Sequence, residues 1–308
     1  MSRELSYRLG KILPKKFERS LRIFWDKNIR KFKLEKLPDE IYHQSKYNTI
    51  AFCTTCMNRL YQLKETLEVN MTDNQSYPKL LFVLIDYNSQ DGLEEYVEKN
   101  LSKYINKGTL VYYKTNQPQK FHASKAKNLA HFLADADIVC NVDGDNYTGK
   151  DFAFYVNYLF NKYGSNHIFQ FHKPPFWGTI GRLALSKENF IKLGGYDENL
   201  LPIGHEDMDL VQRAISLGMS LKRDPIENFQ KFISNSLLEK AVNSSDDETY
   251  TELENSNKQI SKKNIEAGLF VANTGGCENF TLYKNFSKNA FSSAKLINIA
   301  NKKDGIVL

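Results

Sequence analysis

The chain has few cysteines, no long apolar run and little net charge on its main body, and each shortage removes a class of protein. Four cysteines, Cys53, Cys56, Cys140 and Cys277, among 308 residues are too few for a disulfide scaffold. A reducing, cytoplasmic setting is therefore expected. No stretch approaches the roughly 18–20 apolar residues that span a bilayer. The longest apolar runs, such as residues 80–85, have the length of strands. The amino-terminal residues are rich in charge and have no continuous apolar segment, so they do not read as a secretory signal. No internal repeat is visible. The formal net charge is +6, but residues 1–36 hold 12 basic and 4 acidic side chains, which leaves −2 for the other 272 residues. A nucleic-acid-binding domain needs a basic stripe on its folded surface, and a near-neutral body does not supply one.

What is present is a substantial core. Hydrophobic residues make up 41% of the chain and aromatic residues 13%, enough for one large or two small domains. Strands are expected at residues 47–54, 79–85, 109–113 and 137–142, with helices at 58–70, 93–104 and 123–134. Leu60, Leu63 and Leu67 share one face of the first helix. This βαβα order implies parallel strands joined by helical crossovers, an α/β/α sandwich with a mostly parallel central sheet. Beyond residue 150 the rhythm changes. A helix is expected at 151–163 and strands at 168–171 and 180–186, around a loop holding Pro174, Pro175 and Trp177. Helices follow at 187–193 and 206–217. Residues 234–264, rich in Ser, Asn, Glu and Lys, suggest exposed, partly mobile chain, and 268–273 reads as a further strand.

In open α/β sheets, ligands sit at the carboxyl ends of the strands. Three polar clusters fall there: residues 54–59, residues 86–92 and Asp143-Gly144-Asp145. They should converge on one crevice. Two carboxylates at i and i+2, separated by glycine at a strand end, suit Mg²⁺ or Mn²⁺, with a diphosphate completing the oxygen ligands. The plain alternative is an ordinary Asp-Gly-Asp turn. Gly204-His205-Glu206-Asp207-Met208-Asp209 opens a helix. The helix dipole favours acids in a first turn, but three carboxylates in four positions exceed what capping needs. One of them could serve as a general base toward an acceptor hydroxyl.

These motifs resemble the GT-A fold glycosyltransferases that use nucleotide sugars, and most of all the inverting family-2 and β-1,4-galactosyltransferase-like enzymes. The resemblance covers roughly residues 48–222 in six ordered motifs. Phe52-Cys53-Thr54-Thr55-Cys56-Met57-Asn58-Arg59 is similar to the first strand and nucleotide-contacting turn. Asp86-Tyr87-Asn88-Ser89-Gln90-Asp91-Gly92 resembles the D-x-x-S-x-D-G loop. Ala123-Ser124-Lys125-Ala126-Lys127-Asn128 resembles A-x-A-(R/K)-N, and Asp143-Gly144-Asp145 resembles D-x-D. Gly194-Gly195-Tyr196-Asp197-Glu198 and Gly204-His205-Glu206-Asp207 resemble the G-G-(F/Y)-D-E and E-D pair near the acceptor.

The resemblance implies a division of the chain. A basic amphipathic extension would cover 1–46 and a catalytic domain 47–230, its nucleotide-binding half at 47–150 and its acceptor-binding half at 151–230. A partly mobile extension, 231–308, would pack on it. The resemblance also implies roles. The base of a UDP-sugar would lie against Thr54, Thr55, Asp86 and Asn88, beside Asn128 and Gly144. Arg59 and Lys127 would neutralise phosphate. Asp145 would be the principal ligand of Mn²⁺ or Mg²⁺, with Asp143 on the ribose or the metal. Asp207 would be the base and Glu206 would orient the acceptor, a glycan or lipid-linked saccharide of surface polysaccharide synthesis. Trp177, Gly178, Arg182 and His205 would contact that acceptor, although packing for Trp177 and a surface ion pair for Arg182 are the plain alternatives. His122 and His172 read as structural. Relatives often supply a further histidine ligand after the E-D pair, but the last histidine here is His205. Asp224, Glu227, or diphosphate and water alone are the alternatives.

Three other readings compete. Cys53-Thr54-Thr55-Cys56 invites a thioredoxin-like redox module, which would have no need of the two acidic pairs. A nucleotidyltransferase would share the α/β and metal logic, but would carry glycine in its first βα turn, where residues 54–59 have none. A non-catalytic carbohydrate-binding protein could use the same fold. In the basic segment, Leu5, Leu9, Ile12 and Leu13, then Phe17, Leu21, Phe24 and Trp25, recur at helical spacing. Such a helix can lie on an anionic membrane surface, which places the protein peripherally on the inner face of the membrane. The alternative is a helix packed on the domain with a solvated charged face.

Overall fold

The computed structural model describes Ser20, Phe24, residues 35–173 and residues 177–294. The expected membrane-binding helix in residues 1–36 lies almost wholly outside these residues. Among the described residues, no helix is long and apolar enough to cross a membrane.

Strands β1 (Ile50–Cys56), β2 (Leu80–Tyr87), β3 (Leu110–Thr115) and β4 (Ile138–Asn141) alternate with helices α1 (Leu60–Asp73), α2 (Leu93–Asn106) and α3 (Ala123–Leu133). Helix α4 (Phe152–Tyr163), β5 (His167–Gln170), β6 (Leu183–Ser186), α5 (Lys187–Lys192), α6 (Glu206–Ser216) and β7 (Ser220–Arg223) follow. Helices α7 (Leu237–Ala241) and α8 (Tyr250–Glu266) and strands β8 (Thr281–Lys284) and β9 (Ala290–Ser292) close the described chain. The nine strands form one sheet in the order β7-β5-β6-β4-β1-β2-β3-β8-β9. Its central strands β4-β1-β2-β3 are all parallel. Strand β6 runs antiparallel to β4 and β5, and the β8–β9 hairpin extends the β3 edge antiparallel.

Side chains alternate between faces along a strand, and both faces are apolar, as a sheet covered on both sides requires. Ile50, Phe52, Phe82 and Leu84 pack with α1, α2 and α4. Ala51, Cys53, Val83 and Ile85 pack on the other face with α3, α5 and α6. The result is the expected α/β/α sandwich. The same alternation decides the Cys53/Cys56 question, because residues three apart on a strand face opposite ways. Cys53 lies in one apolar layer and Cys56 in the other, both free and buried. Burial pushes each thiol up to about 12, so neither is a reactive thiolate.

The expected elements of the amino-terminal half are present, with ends shifted by at most three residues. Helix α1 starts at Leu60 because Asn58 takes a left-handed φ of 55° and Asp91 accepts a 2.8 Å hydrogen bond from the Leu60 N–H. Of the carboxyl-terminal readings, only the expected strand at 268–273 is contradicted. Residues 234–264 hold two helices, each opened by a capping box, Ser236 with Glu239 and Thr249 with Glu252. Residues 268–273 form no strand, and the late strands are β8 and β9.

Candidate active site

The chain runs β1-β2-β3 to one side and then returns to place β4 on the other side of β1. This reversal is the switch point at which open α/β sheets leave a crevice. The turns after β1 and β4 are stitched together there. Val142 N–H donates to the Cys53 carbonyl at 2.9 Å, and the Thr54 hydroxyl donates to the Val142 carbonyl at 2.8 Å. Beyond them opens a cavity of about 450 Å³ lined by Thr55, Arg59, Lys127, Asp143, Gly144, Asp145, Gly178, His205, Glu206 and Asp207. Two of the three polar clusters expected at strand ends thus meet the acidic start of α6.

The third cluster, after β2, braces the floor. Asp86 is fully buried; its carboxyl accepts from the Ser89 N–H and the Tyr112 hydroxyl, each at 2.7 Å. Asn88 donates to the Pro118 carbonyl at 2.7 Å, and Ser89 accepts from the Asn58 N–H at 3.2 Å. Neither Asp86 nor Asn88 lines the cavity, and the Thr54 hydroxyl is spent on Val142. Asn128 is also turned away. Its amide bridges to Tyr196, donating to the carbonyl at 2.9 Å and accepting from the N–H at 2.8 Å, which ties α3 to the Gly194-Gly195 turn. The Trp177 side chain lies outside the described residues.

Arg182 requires the largest correction. It has no exposed surface. Its guanidinium donates to the carbonyls of Phe229 and Tyr147 and, at 2.8 Å, to Asn146 Oδ1. Asn146 in turn donates to Asp145 Oδ1 at 2.6 Å and to the Gly178 carbonyl at 3.0 Å. Arg182 therefore supports the floor beneath Asp145 and meets no acceptor. Burial pulls this guanidinium down to about 10. We predict that Arg182→Met costs about 2–4 kcal/mol of stability, because three buried acceptors lose their donor together. Urea unfolding checks this. Unchanged stability with a raised acceptor KM would return Arg182 to the acceptor site.

The acidic groups cluster about one ammonium. Lys127 Nζ lies 2.7 Å from Asp207 Oδ1, 2.9 Å from Glu206 Oε1 and 3.9 Å from Asp143 Oδ1. The Tyr196 ring centroid is 5.3 Å away. Burial alone would lower this lysine, but Asp207, Glu206 and Asp143 together hold it well above its usual range. Burial also pushes the Asp207 carboxyl up to about 7; Lys127 draws it down, while Glu206 and Asp143 push it up. For Glu206, Lys127 outweighs burial and lowers it. The expected phosphate contact of Lys127 is thus already spent on the dyad. Gly181 explains how closely the two acidic turns approach, since a Cβ there would sit 2.5 Å from Asp207 Oδ2 and 3.1 Å from Asp143 Oδ2.

The Asp143/Asp145 turn has the character of a cation site. Burial and then the neighbouring Asp143 charge raise Asp145 to about 6, against Arg59, Asn146 and Asn235. Among the described residues, no three His, Cys, Asp or Glu side chains gather as a metal centre. The two residues considered for the missing ligand are elsewhere. Asp224 accepts from Tyr155 at 3.0 Å, and Glu227 pairs with Lys173 at 3.3 Å.

Sequence reasoning missed the wall supplied by the carboxyl-terminal segment. Asn235 donates to Asp145 Oδ2 at 2.5 Å and accepts from Arg59 and Gln62. Lys240, Asn243, Tyr250 and Glu254 line the same cavity. The two capping-box patterns were the available signal that residues 237–241 and 250–266 are helical.

Comparison with known proteins bears on the family and the fold. Residues 163–234 match the family described as the N-terminal domain of galactosyltransferase. No curated protein sequence matches the chain. Among solved structures, GalNAc-T7 with UDP, GalNAc and Mn²⁺ is similar at 13% identity and a TM-score of 0.50, over 70% of this chain and 51% of that one. Mannosyltransferase PcManGT from Pyrobaculum calidifontis, in complex with GDP-Man and Mn²⁺, is similar at 18% identity and a TM-score of 0.48, over 72% of this chain and 66% of that one. TarS from S. aureus in complex with UDP is similar at 14% identity and a TM-score of 0.49, over 71% and 72%. The chain thus spans a little under two thirds of the mannosyltransferase and about half of GalNAc-T7. The fold is that of the GT-A glycosyltransferases. The matched segment, which carries Arg182, Glu206 and Asp207, is galactosyltransferase-like.

Proposed function

We propose that the chain is a metal-dependent, inverting glycosyltransferase. It moves a hexose or N-acetylhexosamine from a UDP-sugar to a glycan or lipid-linked saccharide. The observation that carries this reading is the meeting of Asp143 and Asp145 with Glu206 and Asp207 in one cavity. Within the proposal, the half before residue 150 holds the donor, the half after it receives the acceptor, and α7 and α8 complete the wall. The UDP and Mn²⁺ of the GalNAc-T7 structure support the choice of donor class.

Asp145 and Asp143 would hold Mn²⁺ or Mg²⁺ together with the donor diphosphate. The residues fit, because the pair is charge-rich, oxygen-only and undercompensated. A cation bound there stabilises charge developing on the nucleoside-diphosphate leaving group. Arg59, Thr55 and Gly144 line the same end. Asp207 takes the proton from the acceptor hydroxyl, Lys127 holds that carboxylate in place, and Glu206 orients the acceptor. The freed oxygen attacks C1 from the side opposite the leaving group, which inverts the anomeric centre.

A panel of nucleotide sugars, each with and without Mn²⁺, tests the donor class by thermal stabilisation. A ligand at 100 times its Kd adds about 2.7 kcal/mol. One or more UDP-sugars should raise Tm in the presence of Mn²⁺ alone. A flat panel would overturn the reading.

A further inference from the structure

Helix α8 lies beyond the sequence motifs and the family match, which end at residue 234, yet it is locked onto the loop before α6. Asn257, fully buried, accepts from the Leu201 N–H at 2.6 Å and donates to the Gly204 carbonyl at 2.7 Å. Ser261 donates to Asp209 at 2.7 Å. Gly204, at a φ of 95°, leaves no room between loop and helix, since a Cβ there would stand 2.9 Å from Glu254 Cβ. This packing turns the exposed ends of Tyr250 and Glu254, one helical turn apart, into the cavity beside Glu206 and Asp207.

We propose that Tyr250 and Glu254 form an acceptor subsite for a neutral pyranoside, and that Glu254 selects against acidic sugars. The Glu254 carboxylate accepts hydrogen bonds and donates none, so it pairs with sugar hydroxyls. The Tyr250 hydroxyl is within 3.4 Å of Glu254 Oε1 and supplies a group that can both donate and accept. An acidic acceptor would face Glu206, Asp207 and Glu254 together. The Lys127 ammonium, shared by the first two, and Lys240 beside Tyr250 offset only part of that charge, three carboxylates against two ammoniums. Lys240, 4.6 Å from the Tyr250 ring centroid, also disfavours a cationic acceptor there. Burial and the charges of Glu206, Glu254 and Asp207 raise the Tyr250 phenol, so it stays protonated and able to donate.

The subsite rests on the transferase reading for its role, but its test needs no turnover, so the two fail separately. Saturation-transfer NMR of the full chain with p-nitrophenyl glucoside, galactoside and glucuronide reads binding directly. The neutral glycosides should bind at least about tenfold more tightly than the glucuronide, the effect of one charge-assisted contact. Glu254→Gln should weaken the neutral glycosides by about the same factor and narrow the gap to the glucuronide. Tyr250→Phe, which keeps the ring, should weaken them less than Tyr250→Ala. Equal binding of glucoside and glucuronide to the wild-type chain would overturn the proposal. So would tighter binding of the glucuronide, or a Glu254→Gln chain that holds both glycosides as the wild type does.

Discussion

Asp207→Asn is expected to lower kcat by about 10²–10⁴, the usual contribution of a positioned general base, while UDP-sugar binding persists. The amide keeps the size of the carboxylate and can still accept from Lys127, which lies 2.7 Å from Asp207 Oδ1. It cannot take up a proton. In the native chain the base is also tuned. Burial, with the Glu206 and Asp143 charges, raises Asp207 to about 7 against the pull of Lys127. The active form is the carboxylate, so the rate should fall as pH drops below about 7 and reach a plateau above it. Removing the group should abolish this acid limb as well as the rate. Initial rates of UDP release with acceptor, taken across pH for both proteins, provide the check. Wild-type turnover in Asp207→Asn would show that another group takes the proton.

The parts of the fold that could be read in advance were those set by local periodicity. Strands β1 and β2 are apolar on both faces, which signals a sheet covered on both sides, and α1 shows its Leu60, Leu63 and Leu67 stripe. The site was legible where the residue type left few other uses. A carboxylate pair at a strand end and a second at a helix start are costly to bury without purpose, and they do meet. Other motif residues looked the same in sequence but were assigned differently by burial. Asp86, Asn128 and Arg182 are as polar as Asp145, but tertiary contacts spend their hydrogen bonds inside the protein. No spacing rule distinguishes a polar side chain facing a cavity from one facing a carbonyl three elements away. The β8–β9 hairpin was hidden for a related reason, because it pairs with β3 across more than 160 residues. Helices α7 and α8 were discounted on composition, although their capping boxes were present.

Asp145→Asn should remove metal-dependent donor binding, with affinity for UDP-sugar plus Mn²⁺ weakened more than about 100-fold, the upper range for loss of a supporting ligand alone. The same substitution should stabilise the metal-free chain above pH 6, and this paired result is what separates a cation site from a structural turn. In the folded chain the Asp145 carboxyl is raised to about 6 from its ordinary 3.8, chiefly by burial and then by Asp143. Between those values the folded protein holds a proton that the unfolded one releases, so stability declines as pH rises through this window. Above pH 6 the native site carries two adjacent carboxylates and their full repulsion. A neutral amide relieves it. Sites that bind strongly charged ligands commonly sacrifice stability in this way. Calorimetry with UDP-sugar and Mn²⁺ measures the first effect, and metal-free thermal unfolding across pH measures the second. Retained Mn²⁺-dependent binding would remove the cation from this turn. Lost binding with lost stability would instead make Asp145 a structural anchor, held for its bonds from Asn146 and Asn235.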